Sequence, residues 1–390
     1  MDFSSREYDD RLKRAKDLME KKGLDALVVS SDVDFHYFTG ATSLNQAFYG
    51  GRGGSAARPV FVLIPRDRQP VVMTHIALID DTRRSSVMKD IRAYETSESV
   101  PLGGAPVKMI ADVLTELGVS QGTLGTDIGL EQTLGFPCND YLRLCSMLSK
   151  AKFVDTADLM WELRIVKSTE EISYIRKACE ITAKARQSCF NTIRSGMTER
   201  EVARIFGQKM MEYGADGPAF TLVETSRGAH TLYPSDKRLE KGDTLGLDGG
   251  CYVNLYTCDT ERIATIGTPS SKQAEMHKFV SETSAKMIKG FRPGAKISEV
   301  AATCWNEYKR MGLPINEAGR AGHGQGMLFT EPPSVSLLDK TVLKPGMVVS
   351  AEPGLITEYG TFIWEDLVAI TEKGNEVLSG LETSELRIIR

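Results

Sequence analysis

The second half of the chain is written twice, and this duplication constrains the fold more than any other feature. Arg194-Ser195-Gly196 and Arg292-Pro293-Gly294 each stand four residues before a Glu-Val-Ala triplet, Glu201-Val202-Ala203 and Glu299-Val300-Ala301. Further on, Asp248 lies six positions after Gly242, and Glu352 six positions after Gly346. Each copy then offers a second acid, expected to be Asp259 in the first and Glu365 in the second. Two copies at a period of about 100 residues indicate a folded-over duplication rather than a solenoid. Two such halves, each bringing a carboxylate pair from neighbouring strands, would converge on one site.

The chemistry of that site follows from its donors. Asp248, Asp259, Glu352 and Glu365 are joined by His323, set between glycines in Gly322-His323-Gly324-Gln325-Gly326. Carboxylate oxygens with a single imidazole suit divalent manganese, iron, cobalt or zinc. Four carboxylates exceed what one ion needs, so two divalent metal ions sharing bridging oxygens are expected. Cys258 adjoins Asp259 and could be read as a soft ligand. A free cysteine in such a setting behaves as a small buried hydrophobe, and none of the seven cysteines forms a Cys-x-x-Cys pair.

Composition narrows the partners. The net charge of −4 at a sequence pI near 5.9 gives no cause to expect nucleic acid or an anionic membrane surface. No run approaches the roughly 18–20 apolar residues of a membrane span. Met1–Arg6 lacks the apolar core of a signal peptide, so a cytoplasmic protein is expected. At 390 residues two domains are expected, 1–160 and 161–390, with a connection in the zone Trp161–Ser168.

The first half alternates strands and helices, which predicts an α/β domain. Arg6–Lys22 reads as an amphipathic helix with Leu12, Ala15, Leu18 and Met19 on one side. Leu24–Ser30 reads as a strand, Phe35–Gly40 as a turn, and Pro59–Pro65 and Pro70–Thr74 as two strands. Val107–Leu117 predicts a helix, Gly122–Asp127 a strand, and Leu130–Leu148 a mostly helical stretch. His36 and His75 are expected in structural roles. Tyr49–Ser55 lacks the Gly-Lys-Ser/Thr ending of a phosphate loop and reads as a loop that could lie over a site. Ser168 with Glu171 forms the capping box that opens the second half.

On these motifs the stretch from about Leu163 to Leu378 resembles the pita-bread metallohydrolase family of methionine aminopeptidase, aminopeptidase P, prolidase and creatinase. The first half is similar to the amino-terminal domain that prolidases and creatinase carry. The resemblance implies a creatinase-like α/β domain followed by a pseudo-symmetric pita-bread catalytic domain. It implies that Asp248 chelates one ion, that Asp259 and Glu365 bridge both, and that His323 and Glu352 complete the other. A metal-activated water would be the nucleophile, with Glu352 as the proton shuttle. His230 matches a substrate-facing histidine, and Arg262, three past Asp259, orients ligands from behind.

One position departs from the peptidases. They place a second histidine seven residues after the ligand histidine, where this chain has Thr330. Threonine donates a hydrogen bond but carries no proton near neutral pH. The expected activity is hydrolysis of an amide or amidine C–N bond, with Xaa-Pro dipeptides as the family default. A non-peptidase reaction on a small molecule, creatinase-like hydrolysis or dimethylsulfoniopropionate lysis, is the alternative. The resemblance also implies a homodimer, with Gly50–Arg58 as the segment reaching the other subunit's site.

Overall fold

A computed structural model of the chain describes residues 3–43, 58–95, 105–225, 231–313, 319–380 and 383–390. The predicted loop at 49–55, the inter-subunit segment except Arg58, and His230 lie outside the described residues. The chain divides into two compact units, Met1–Arg164 and Ile165–Arg390.

The first unit carries one mixed sheet in the order β4-β3-β2-β1-β5-β6. Its strands are β1 (Ala26–Val29), β2 (Phe61–Pro65), β3 (Val71–His75), β4 (Asp90–Tyr94), β5 (Thr123–Thr126) and β6 (Lys152–Asp155). The helix Ser5–Lys22 starts on the Ser4 cap and ends on Gly23 at φ 67°, and it buries Ala15, Leu18 and Met19 as its period predicts. The same face also sequesters Arg11. Its guanidinium bonds Glu7 and the Tyr37 carbonyl, each at 2.9 Å, and lies 4.4 Å from the Phe3 and Tyr37 ring centres.

Two expectations for this unit are corrected. Phe35–Gly40 is not a turn but most of a helix, Asp32–Thr39, capped by Ser31 and closed by Gly40 at φ 72°. Every residue from Asp34 to Thr39 is buried, so the helix has no polar face and shows no amphipathic period. Leu130–Leu148 is helical only over Cys138–Met147. Gly135 lies so close to the Ser30 carbonyl that a Cβ there would stand 1.8 Å from its oxygen, and Pro137 fixes the turn into the helix. His36 and His75 hold structural positions. His36 Nδ1 meets the Ala41 carbonyl at 3.1 Å, and the His75 ring accepts from Ala77 N.

The second unit opens on the predicted capping box. The Ser168 hydroxyl accepts from Glu171 N and the Glu171 carboxylate from Ser168 N, at the head of the helix Thr169–Thr192. The helix Ala157–Arg164 of the first unit occupies the first part of the predicted connection.

The duplication is visible bond by bond. In the first copy the helices Thr169–Thr192 and Glu199–Glu212 accompany β7 (Gly217–Glu224), β8 (Thr244–Val253), the two-residue β9 (Tyr256–Thr257) and β10 (Thr260–Ile266). In the second, the helices Ser271–Gly290 and Ile297–Arg310 accompany β11 (Arg320–Gly324), β12 (Glu331–Ser336), β13 (Val348–Ala351), β14 (Gly354–Thr357), β15 (Gly360–Ile363), β16 (Asp366–Thr371) and β17 (Gly374–Val377). The last strand, β18 (Arg387–Ile389), returns to pair with β10.

Gly196 N bonds the Leu239 carbonyl and Gly294 N bonds the Leu343 carbonyl; Gly242 N bonds Ile266 and Gly346 N bonds Ile370. The four glycines all have φ between 81° and 93°, a conformation that costs a side-chain-bearing residue about 1–2 kcal/mol. That shared requirement is why the glycines persist in both copies. At the register these bonds fix, Glu352 falls on Asp248. Glu365, however, falls on Glu261 rather than on Asp259. The expected pairing of Asp259 with Glu365 as equivalent second acids is therefore replaced by Glu261 with Glu365.

Candidate metal centre

Asp248 sits in the middle of β8, directly opposite Glu261 of β10. Strand β8 pairs with β9 and β10 in one continuous register, and the ladder is broken only at Cys258 and Asp259. The cause is local. The Cys258 carbonyl presses on Gly250, where a Cβ would lie 1.7 Å from its oxygen, so only glycine is tolerated there. The break lets Asp259 leave the pleat, and its side chain is buried.

The other three donors come from the second copy. His323 lies in β11, with Gly322 before it at φ 142° and packed against the Ser350 carbonyl. Glu352 follows β13 and its amide bonds the Ala321 carbonyl at 2.9 Å. Glu365 stands between β15 and β16, its amide 3.4 Å from the Glu261 carbonyl.

Three of the five expected residues, Asp259, His323 and Glu365, bring ligand atoms within 4.8 Å of one another. His323 Nδ1 lies 2.9 Å from the Gly324 carbonyl, which requires the proton on that nitrogen and leaves a lone pair on Nε2. Nε2 faces Asp259 at 3.5 Å, Glu365 at 3.7 Å and Glu352 at 3.8 Å.

Three carboxylate oxygens here go without a donor among the described residues. Asp248 Oδ1, Asp259 Oδ1 and Glu365 Oε1 are buried without a hydrogen-bond partner. Burial raises Asp248 to about 6. Burial, and then repulsion from Asp248 and Glu352, holds Asp259 well above the carboxylate range. Glu365 is raised in the same way by burial and then by Asp259. His323 moves down, chiefly through burial. A cluster of orphaned acids beside a neutral imidazole is costly unless a cation fills it. This donor set fits a divalent metal ion.

Arg262 lies directly behind the cluster. It donates to the Glu365 carbonyl at 2.6 Å, pairs with Asp366 at 2.5 Å and stacks 3.9 Å from the Trp364 ring centre. Thr330 stands just before β12, and its hydroxyl accepts from Arg320 at 3.4 Å.

Two residues of interest escaped the reading of the sequence. Glu261 is buried, and its carboxyl is raised by burial and by Asp248 and Glu224. The signal for it was present, since Glu261 follows Asp248 by the same thirteen residues that separate Glu365 from Glu352. Arg320 had no such signal.

Similarity to known proteins agrees with this architecture. The sequence profile of metallopeptidase family M24 matches residues 173–372, and that of the creatinase/prolidase N-terminal domain matches 11–166. The chain is 29% identical to the Xaa-Pro dipeptidase of Pyrococcus furiosus over 96% of this chain and 98% of that one. It is 29% identical to an uncharacterized peptidase of Bacillus subtilis over 95% and 97%. Among solved structures, the prolidase of Pyrococcus horikoshii superposes with a TM-score of 0.81 at 27% identity, covering 96% of this chain and 99% of that one. A Bacillus anthracis Xaa-Pro dipeptidase gives 0.84 at 25% identity, covering 98% and 100%. With its pseudo-symmetric second unit matched over so much of its length, the chain belongs to metallopeptidase family M24, whose members are metal-dependent hydrolases.

Proposed function

We propose that this protein is a dinuclear Xaa-Pro dipeptidase. The observation that carries the reading is that His323 Nε2 faces Asp259 at 3.5 Å, Glu365 at 3.7 Å and Glu352 at 3.8 Å, while Asp248 Oδ1, Asp259 Oδ1 and Glu365 Oε1 are buried without a hydrogen-bond partner. Asp248, Asp259, His323, Glu352 and Glu365 would hold two divalent ions, manganese, iron, cobalt or zinc. Such ions, when bound, acidify a water and polarise the scissile carbonyl.

The chain's own residues supply the rest. Glu352 has a side chain 30% exposed, which leaves it open to substrate, and it would take the proton from the attacking water and pass it to the leaving amine. Arg262, through the Glu365 carbonyl and Asp366, would hold the strand that presents Glu365. His230 and Thr330 would face the substrate. The peptidase names of the relatives favour this reading over creatinase-like hydrolysis or dimethylsulfoniopropionate lysis. A cytoplasmic location and a homodimer complete the proposal; seven unpaired cysteines suit a reducing compartment.

The deciding experiment reconstitutes metal-free protein with each of the four metals. Metal per chain is then measured, along with hydrolysis of Xaa-Pro dipeptides, creatine-like amidines and dimethylsulfoniopropionate. Two ions per chain with dipeptide cleavage are expected. Turnover of an amidine or sulfonium substrate without dipeptide cleavage would replace the proposal.

A further inference from the structure

We propose that a second cavity, beside Arg262 and lined by none of the five expected metal ligands, binds a free apolar α-amino acid. Such a site stands whether or not the metal centre cleaves dipeptides.

The cavity measures about 280 Å³ and lies where the end of the helix Thr169–Thr192 meets β10 and the returning strand β18. Phe190 and Trp364 give it apolar wall, and Arg262, Glu385 and Arg387 give it charge. The three charges are not equivalent. Arg262 is committed to Asp366 and to the Glu261 and Glu365 carbonyls. Arg387 spends one hydrogen bond on the Asn191 side-chain oxygen and makes no ion pair among the described residues. Glu385, two positions before it, has neither a hydrogen bond nor an ion pair among them. The two opposite charges share one cavity and do not pair with each other.

That arrangement holds places for the two ends of a zwitterion. The Arg387 fork matches a carboxylate, and the Glu385 carboxylate accepts from an ammonium. Gln187 lines the same cavity with an amide able to bond either end. Phe190 and Trp364 offer ring surface to an aliphatic side chain. A simple anion would set like charge against Glu385. An uncharged apolar molecule would take water from both charges and give nothing back. A free amino acid with an apolar side chain meets all of these walls at once.

The test removes one charge at a time, from the ligand and from the protein. Metal-loaded wild type, Glu385→Gln, Arg387→Gln and Gln187→Trp are titrated calorimetrically with leucine, N-acetyl-leucine and leucinamide. Wild type is expected to bind leucine about tenfold more tightly than either derivative, each of which lacks one charge. Glu385→Gln should weaken leucine by about tenfold and change N-acetyl-leucine, which has no ammonium, by less than about twofold. Arg387→Gln should weaken leucine by a similar factor and spare leucinamide, which has no carboxylate. Gln187 is exposed on its helix, so the larger side chain of Gln187→Trp should fill the cavity and abolish binding while metal content and circular dichroism stay as in wild type. Leucine bound equally by wild type and all three variants would place it at the metal centre and overturn the assignment. Wild type that binds no leucine, or binds both derivatives as well as leucine, would overturn it too.

Discussion

The two units each bury a group of acids, and the contrast between the groups separates architecture from chemistry. In the first unit Asp34 pairs with Arg164 at 2.9 Å and also accepts from the Ser31 hydroxyl. Asp127 Oδ2 accepts from Ser30 N at 2.6 Å and Ser31 N at 2.9 Å. Burial and the nearby Asp34 still raise Asp127 to about 7; its Oδ2 has three donors, while its Oδ1 is buried without a partner. In the second unit ligand atoms of Asp259 and Glu365 meet His323 within 4.8 Å, and Asp248 Oδ1, Asp259 Oδ1 and Glu365 Oε1 are buried without a hydrogen-bond partner. Donors around a buried acid signify structure. Buried acids gathered on one imidazole form a donor set suited to a cation.

The largest effect should come from breaking the second group. Asp259→Asn leaves an amide that cannot bridge cations, so metal binding and catalysis should fall together. The loss of metal-derived stabilisation is worth several kcal/mol, roughly three decades in kcat. Full metal occupancy in that variant, by elemental analysis, would sink the ligand assignment. Breaking the first group should do the reverse. Arg164→Ala strands Asp34 and should cost about 3–5 kcal/mol of stability in denaturant titration. Metal content should stay unchanged.

These two groups were not equally legible in the sequence. Asp248 and Glu352 could be singled out because each sits six positions after a repeated glycine, a local pattern that survives in one dimension. The Ser168–Glu171 capping box was legible for the same reason. The Asp34–Arg164 pair joins residues 130 positions apart and leaves no periodic trace. The helix Asp32–Thr39 was hidden because burial on all sides erased the alternation that marks a helix. Asp259 was matched to the wrong acid because the β8 ladder breaks there, and a strand break forced by Gly250 and the Cys258 carbonyl has no sequence period. Glu385 and Arg387 come beside the end of the helix Thr169–Thr192 only through the return of β18 to β10, a pairing that no local pattern marks.

A smaller effect is expected where the site meets its substrate. Thr330→His restores a group able to carry a proton, and one charge-assisted contact is worth roughly 1.5–3 kcal/mol. Xaa-Pro cleavage should rise about ten- to a hundredfold in kcat/KM, with stability little changed. A loss of dipeptide cleavage in the variant would show that the threonine is already the better solution.

The acids also set a pH dependence with a definite sign. Asp248 is raised to about 6 in the metal-free fold, above its ordinary value of 3.8. Its contribution to metal-free stability is present below the ordinary value and lost as pH rises through about 6, because the fold then holds an unpaired charge. Metal uptake requires that same charge. Apparent metal affinity should therefore fall by about tenfold per pH unit below 6 for each proton displaced, measured by competition with a chelator. An affinity independent of pH between 5 and 7 would mean that Asp248 is not a ligand.

The smallest expected effect is none, and it tests whether chemistry in the second unit depends on its thiols. Cys179, Cys189, Cys251, Cys258 and Cys304 are buried, whereas Cys138 is exposed and Cys145 half-buried in the first unit. The Thr182 hydroxyl lies 3.5 Å from the Cys251 sulfur and 3.3 Å from the Cys258 sulfur. Burial pushes the Cys189 thiol up to about 12 and raises Cys179 as well. At Cys258 burial also raises the thiol, but its hydrogen bonds with Cys179, Cys251 and Thr182 outweigh that and lower it, so it is full enclosure that keeps Cys258 from a reagent. A thiol-blocking reagent on the folded protein should therefore label Cys138 first and Cys145 more slowly, as peptide mass mapping would show. Catalysis should be untouched, because neither residue belongs to the unit that holds the metal centre. Rapid inactivation that tracks labelling of Cys258 would reverse this, making the thiol beside Asp259 part of the site rather than part of the packing behind it.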